Sequence, residues 1–294
     1  GINKGDEVLV QSLTYVASFQ AITATGAKPI ACDIDPKSLT IDVNDAKSKI
    51  TNKTKAIMPV HFSGSIDNYE EIYELANEAN IRVIEDAAHA FGTKYKNKIV
   101  GSFGDIVCFS FDGIKNITSG EGGCIVTSDL NILEKVKDSR LLGISKETES
   151  RFASKRKWDF NVDNQGWRYH MSNIMAAIGI SQLKRLEEFS NKRKILAKEY
   201  DRLFQNNKNI TTFNRNYEDV MPHIYCVLLQ TNIIREDLRK YLLEKGIETG
   251  IHYKPNHLLN YFRDSTNVFL TQTDIIYPKL LTLPLHPEIE LNEV

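Results

Sequence analysis

Along its first 130 residues the chain alternates short apolar runs with stretches whose apolar residues recur every three or four positions. Runs at 7–10, 28–32, 55–60, 81–85, 106–111 and 123–127 have the length and composition of buried strands, while 17–25, 43–50 and 69–79 carry helical spacing. This alternation predicts a mostly parallel sheet covered by helices on both faces. In such a sheet, ligand-binding residues collect just beyond the carboxyl ends of the strands. Residues 171–205 read as one long helical region, apolar at Ile174, Ala177, Ile178, Ile180, Leu183, Leu186 and Phe189. The charges of its second part (Lys184, Arg185, Glu187, Glu188, Lys192, Arg193 and Lys194) read as a solvated face. Further strands at 210–213 and 225–229 and a helix at 235–245 predict a small lobe of mixed type. The expected division is therefore a large α/β domain over residues 1–185 and a smaller α+β domain over 186–294.

Charge narrows the function. The 294 residues contain 37 Lys plus Arg against 38 Asp plus Glu, so the chain lacks the basic excess that displaces counterions from nucleic acid. The four cysteines, Cys32, Cys108, Cys124 and Cys226, form no C-x-x-C pair and read as reduced core thiols of a cytoplasmic protein. No apolar run reaches the length of a membrane span, and no signal-peptide pattern opens the chain. The histidines lack the spacing of a metal site. The glycines at 120, 122 and 123 lack that of a dinucleotide fingerprint or a phosphate-binding loop. His61 reads as support for a strand end. Trp158 and Trp167 read as packing or interface residues, and the run of Lys155, Arg156 and Lys157 as a solvated loop.

Two segments carry candidate chemistry. Asp86 closes an apolar run and is followed by the small residues Ala87 and Ala88. Alone it would read as a helix cap. Lys115 lies five residues after Ser110, just past another apolar run, with glycines behind it that permit a close ligand approach. Alone it would read as a surface lysine. Together they have the parts that a pyridoxal enzyme needs: a lysine to form a Schiff base and a carboxylate to hold the proton on the pyridine nitrogen. Ser110 supplies a hydroxyl for a phosphate, and Tyr15 an aromatic face for the ring.

Seven blocks, in order, carry a resemblance to a known family: GDEVLVQSLTYVAS, GAKPIACDIDPKSLTID, TKAIMPVHFSG, VIEDAAHAFGTKYKNKIVGSFGDIVCFSF, IKNITSGEGGCIVTSD, GWRYHMSNIMAAIGISQL and GIETGIHYKPNH. The chain resembles the DegT/DnrJ/StrS sugar aminotransferases, which are fold-type-I homodimers with two active sites at the subunit interface. The resemblance implies pyridoxal 5'-phosphate as cofactor and amino transfer from an amino acid, usually glutamate, to a nucleotide-linked keto-sugar. It implies Lys115 as the cofactor lysine and Asp86 as the partner of the pyridine nitrogen. His89 would contact the ring 3-hydroxyl, Ser110 the phosphate and Tyr15 the ring face. The segment of Gly166, Trp167, Arg168, Tyr169, His170 and Met171 matches a loop that reaches into the partner subunit's site, so Arg168 is a phosphate candidate and His170 a substrate candidate. His252 and Tyr253 match a region lining the sugar-nucleotide entrance. The family's phosphate-cradling turn would precede residue 1, and its closing helix would follow residue 294, so the chain is expected to be trimmed or a fragment. Two other activities compete. Family members that dehydrate sugars commonly replace the lysine by histidine, whereas Lys115 is retained here. A non-catalytic binding homologue would not need Asp86, His89, Ser110 and Lys115 together.

Overall fold

The first strand, β1 (Glu7–Gln11), alternates its side chains between two apolar clusters, and the fold grows from that alternation. Val8 and Val10 pack on one face with Phe19, Ile22, Ala31 and Phe262. Leu9 points to the other, among Ile57, Ile72, Leu75 and Val83. Both faces are covered, as a parallel sheet requires. The computed structural model describes residues 1–144, 160–230, 233–266 and 268–294. Trp158 and the run of Lys155, Arg156 and Lys157 therefore lie outside the described residues.

Helix α1 (Val16–Ala24) follows β1, then β2 (Lys28–Cys32), α2 (Val43–Ser48), β3 (Thr54–Met58), α3 (Tyr69–Ala79) and β4 (Arg82–Asp86). A two-stranded hairpin, β5 (Lys94–Tyr95) and β6 (Lys98–Ile99), precedes β7 (Ile106–Ser110) and β8 (Gly123–Thr127). The main sheet has the order β2-β1-β3-β4-β7-β8, parallel throughout except that β8 runs antiparallel to β7. The segment between these last two strands holds no helix, so the chain returns by its own edge rather than by a crossover. That return carries Lys115.

After α4 (Leu130–Ser139), the long helical region expected over 171–205 is two helices, α5 (Asn173–Leu183) and α6 (Leu186–Phe204). The break lies at Arg185, whose backbone (φ −100°, ψ 4°) leaves the helical region. It lets Leu186 and Phe189 turn onto Met221 and Ile117. The solvated face expected of α6 also fails at one residue. Arg193 is 5% exposed, and its guanidinium donates to the carbonyls of His223 and Leu285. Among the described residues no carboxylate pairs with it, and burial pulls its pKa down to about 10.

A second sheet of order β11-β10-β9 is antiparallel, built from β9 (Ile210–Thr212), β10 (Tyr225–Leu229) and β11 (Leu280–Leu283). Helices α7 (Arg235–Glu244), α8 (Asn260–Thr266) and α9 (Thr271–Ile276) complete this part. The two parts share apolar contacts: Leu13, Ile34, Leu39 and Phe62 pack with Phe213, Ile224, Cys226 and Ile276. A buried carboxylate reinforces the joint. Asp33 accepts from the backbone N–H groups of Gln272 and Thr273 and from the Thr273 hydroxyl at 2.7–2.8 Å, tying α9 to the end of β2. Removing it leaves buried donors without partners. We expect Asp33→Ala to lower unfolding free energy by about 2–4 kcal/mol in a urea titration; a loss under about 0.5 kcal/mol, the range of an ordinary surface change, would contradict that account.

Among the described residues no helix is long and apolar enough to cross a membrane. Helix α5 is nonetheless apolar on its outside, with Ile174 at 77% exposure and Ile180 and Leu183 also open to solvent.

Candidate active site

Strands β4 and β7 are neighbours, and each ends on a polar residue, Asp86 and Ser110. Beyond those ends lies a cavity of about 590 Å³, whose lining includes Tyr15, Ser18, Asp86, His89, Ser110, Lys115, His252 and Tyr253. Seven of the nine residues singled out in the sequence thus meet at one place. They arrive there because the turn after β1, the ends of β4 and β7 and the loop before residue 256 all open on the same edge of the sheet.

Asp86 is held rigidly. Its Oδ2 accepts from the Ser18 hydroxyl at 2.7 Å and its Oδ1 from the Ala88 N–H at 3.1 Å. Ser18 has spent its hydrogen on the carboxylate, so at 3.1 Å it accepts from the Thr14 hydroxyl. The Asp86 backbone is fixed as well, donating to the Pro59 carbonyl and accepting from the His61 N–H. Each carboxylate oxygen keeps a lone pair for a ligand.

Lys115 sits in a turn whose backbone N–H donates to the Asp112 carbonyl. Burial pulls its ammonium below the ordinary range, while the charges of Asp86 and Asp112 partly restore it. A desolvated amine beside a carboxylate is what a lysine nucleophile and base requires. Ser110 Oγ accepts from the Asp112 N–H at 3.3 Å and lines the cavity. Tyr15, 57% exposed, leans on Tyr253 with ring centroids 5.5 Å apart.

His89 is 4% exposed and its two nitrogens have distinct partners. Nδ1 accepts from the Ser63 N–H at 3.3 Å, so in the neutral ring the hydrogen is on Nε2, which donates to the Tyr253 hydroxyl at 2.9 Å. Burial first, and then the charge of Lys115, push its pKa well below the ordinary histidine value. His252 is pulled down to about 4 by the same two causes, and its Nδ1 meets the Thr282 hydroxyl at 2.9 Å.

Arg168 and His170 do not line this cavity within one chain. Arg168 is exposed and bridges Leu141 through its backbone, between Trp167 and Tyr169, whose rings stack 6.1 Å apart. Among the described residues the buried Nδ1 of His170 has no hydrogen-bond partner. His61 supports a strand end as expected: its Nε2 lies 2.7 Å from Glu85, both residues buried. Sequence reasoning missed Ser18, Ser63, Asn116 and His223. None belongs to a charged or glycine-rich pattern; only the folded chain brings them to Asp86 and His89. All four cysteines are free thiols.

The model of the DegT/DnrJ/EryC1/StrS aminotransferase family matches residues 1–294. The chain belongs to this family. GDP-perosamine synthase of Escherichia coli O157:H7 is 38% identical over 297 residues, covering 100% of this chain and 78% of the relative. The solved structure of Helicobacter pylori PseC, an aminotransferase involved in the biosynthesis of pseudoaminic acid, superposes with a TM-score of 0.90 at 28% identity, covering 99% of this chain and 77% of that one. Spr1654 of Streptococcus pneumoniae, solved in its PLP form, gives 0.90 at 26% identity, with 99% and 79% covered. The fold is that of the fold-type-I transferases, and the family depends on pyridoxal phosphate. The residues here fit that group. A desolvated amine, a carboxylate with free lone pairs, a serine hydroxyl and a neutral imidazole donor all reach one cavity.

Proposed function

We propose that this chain is a pyridoxal-phosphate-dependent aminotransferase that moves an amino group from an amino acid, glutamate in our reading, to a nucleotide-linked keto-deoxysugar. The product would feed glycan or surface-polysaccharide precursors. The observation that carries the proposal is the convergence of Lys115 and Asp86 on one cavity from adjacent strand ends, with the neutral His89 beside them.

The cofactor supplies an electron sink that stabilises negative charge on the carbon bearing the transferred nitrogen. The protein's part is to hold and to move protons. Lys115 would hold the group through Nζ and would serve as the base that carries a proton between the reacting carbons. Its desolvation favours the uncharged amine. Asp86 keeps the ring nitrogen protonated, and Ser18 and the Ala88 N–H aim its oxygens. His89 would share its one N–H, which rests on the Tyr253 hydroxyl, with the ring oxygen, Ser110 would offer a hydroxyl to the phosphate, and Tyr15 a flat face. His252 and Tyr253 line the sugar entrance. We treat residues 1–185 as the cofactor-binding domain and 186–294 as the smaller one, and the free thiols suit a cytoplasmic setting.

Adding pyridoxal phosphate to the purified chain, reducing with borohydride and mapping the modified peptide tests the reading. A yellow adduct trapped on Lys115 is the expected result. A chain that stays colourless, or a label elsewhere, overturns it.

A homodimer is part of the same reading. The exposed apolar surface of α5, the exposed Trp167 and Tyr169, and the position of Arg168 and His170 outside their own cavity all suit a surface buried against a second copy. Ile174→Glu together with Ile180→Glu is expected to shift the chain from dimer to monomer in sedimentation at micromolar concentration. A double variant that stays dimeric would remove α5 from the interface.

A further inference from the structure

Beside His89 lies a second buried imidazole that the chemistry above does not use. His223 is 4% exposed, and its ring lies tilted against that of His89, with centroids 4.3 Å apart and planes inclined by 40°. We propose that His223 is a positioning residue: it is the slab that holds the His89 ring in place, so that the single N–H of His89 stays aimed at the Tyr253 hydroxyl on the cavity wall.

The hydrogen bonds around the pair fix both rings. The Asn116 side-chain Nδ2 donates to the Phe91 carbonyl at 3.1 Å, and a carbonyl can only accept. The amide oxygen of Asn116 therefore faces His223 and accepts from its Nδ1–H at 3.1 Å. In the neutral ring His223 Nε2 is then bare, and it is buried without a hydrogen-bond partner among the described residues. His89 has the opposite arrangement, with Nδ1 accepting from the Ser63 N–H and Nε2 carrying the hydrogen. Burial keeps both imidazoles uncharged.

One residue ties the His89 ring to the backbone of His223. Ser63 donates its N–H to the His89 ring, accepts the backbone N–H of His223 on its carbonyl at 3.4 Å, and donates its hydroxyl to the Ile224 carbonyl at 2.5 Å. It does so from a left-handed backbone conformation (φ 57°, ψ 17°) that a non-glycine residue rarely adopts. Arg193 secures the other side by donating to the His223 carbonyl. Asn116, adjacent to Lys115, links the pair to the turn that bears the amine. A 180° turn of the His89 ring would exchange its nitrogens with carbons and lose both hydrogen bonds. His223 occupies the space through which the ring would tilt.

The test begins on the cofactor-free chain with 15N-labelled histidine. In the wild type, His89 should show a pyrrole-type Nε2 and a pyridine-type Nδ1, and His223 the reverse. His223→Ala removes the slab, and the two His89 nitrogen signals should move toward each other as the ring loses its fixed tautomer. His223→Phe keeps the slab without the link to Asn116 and should leave the His89 pattern in place. If the alanine variant does not fold, His223→Asn, which retains a donor for Asn116 and loses most of the ring, should show the same averaging. A folded alanine or asparagine variant with the wild-type His89 pattern overturns the proposal, whatever its melting temperature.

The last measurement rests on the function proposed above: the Kd for pyridoxal phosphate should rise about 10-fold in His223→Ala, the factor that about 1.4 kcal/mol represents, and stay near wild type in His223→Phe. An unchanged Kd in the alanine variant also counts against the proposal. A wild-type chain that shows the nitrogen pattern, and whose alanine variant averages it, but that binds no pyridoxal phosphate would sink the function and leave the positioning role standing.

Discussion

Lys115→Ala is expected to reduce amino transfer by about 10⁴-fold or more, because it removes an anchor and a proton carrier in one step. The clean assay is the amino-acid half of the reaction. Glutamate is added to cofactor-loaded protein, and the visible spectrum is followed in a single turnover. The variant should also lose the borohydride-trapped adduct at position 115. Its fold should survive, and the direction of the stability change can be worked out. Burial lowers the folded-state pKa of Lys115 below its ordinary value of 10.5. Between those two values the unfolded chain binds the proton and the folded chain does not, so this group's contribution rises as pH rises through that window. Below the window, protonating a desolvated amine is a cost to the folded state. Removing the amine therefore relieves that cost, and thermal unfolding near neutral pH should occur at the wild-type temperature or slightly above it. A variant within tenfold of wild-type activity would sink the mechanism. A large fall in melting temperature would show that Lys115 has a packing role its surroundings do not suggest.

Much of this site could be read from sequence because strand ends are readable. The apolar runs before Asp86 and Ser110 end where β4 and β7 end, and the topology of a parallel sheet then brings those ends to one edge. The order β2-β1-β3-β4 was not readable, since apolar runs buried on both faces carry no record of their neighbours. Helical periodicity marked 171–205 as helical but could not show the break at Arg185, which depends on where Leu186 and Phe189 find Met221 and Ile117. Arg193 reads as one more surface charge in a charged run. Its burial follows from two carbonyls, of His223 and Leu285, that are distant in sequence and need a donor. The same holds for His223 itself. Its partner Asn116 lies 107 residues away, so no local pattern could have joined them.

Asp86→Asn isolates charge from shape. The amide is nearly isosteric, and the neighbouring groups can accept it. Its oxygen can keep the Ala88 N–H, and its NH2 can face Ser18, whose hydroxyl then turns its hydrogen toward Thr14. The fold is therefore expected to hold, with a stability change of about 1 kcal/mol or less. What disappears is the negative charge beside the cavity and its pull on the Lys115 ammonium. An amide cannot stabilise a protonated ring nitrogen as a carboxylate does, and preorganised electrostatic partners of this kind account for about 3–4 kcal/mol of barrier. The expected result is a fall of about 10²–10³-fold in the rate of the glutamate half-reaction, with the adduct at Lys115 still formed. Ser18→Ala should produce a weaker version of the same defect, about 5–10-fold, because it frees the carboxylate to turn without discharging it. That ordering separates the charge of Asp86 from its aim. An asparagine variant that reacts faster than the Ser18→Ala variant would mean that the carboxylate is a structural tie for Ser18 and Ala88, and that the ring nitrogen is held by something else.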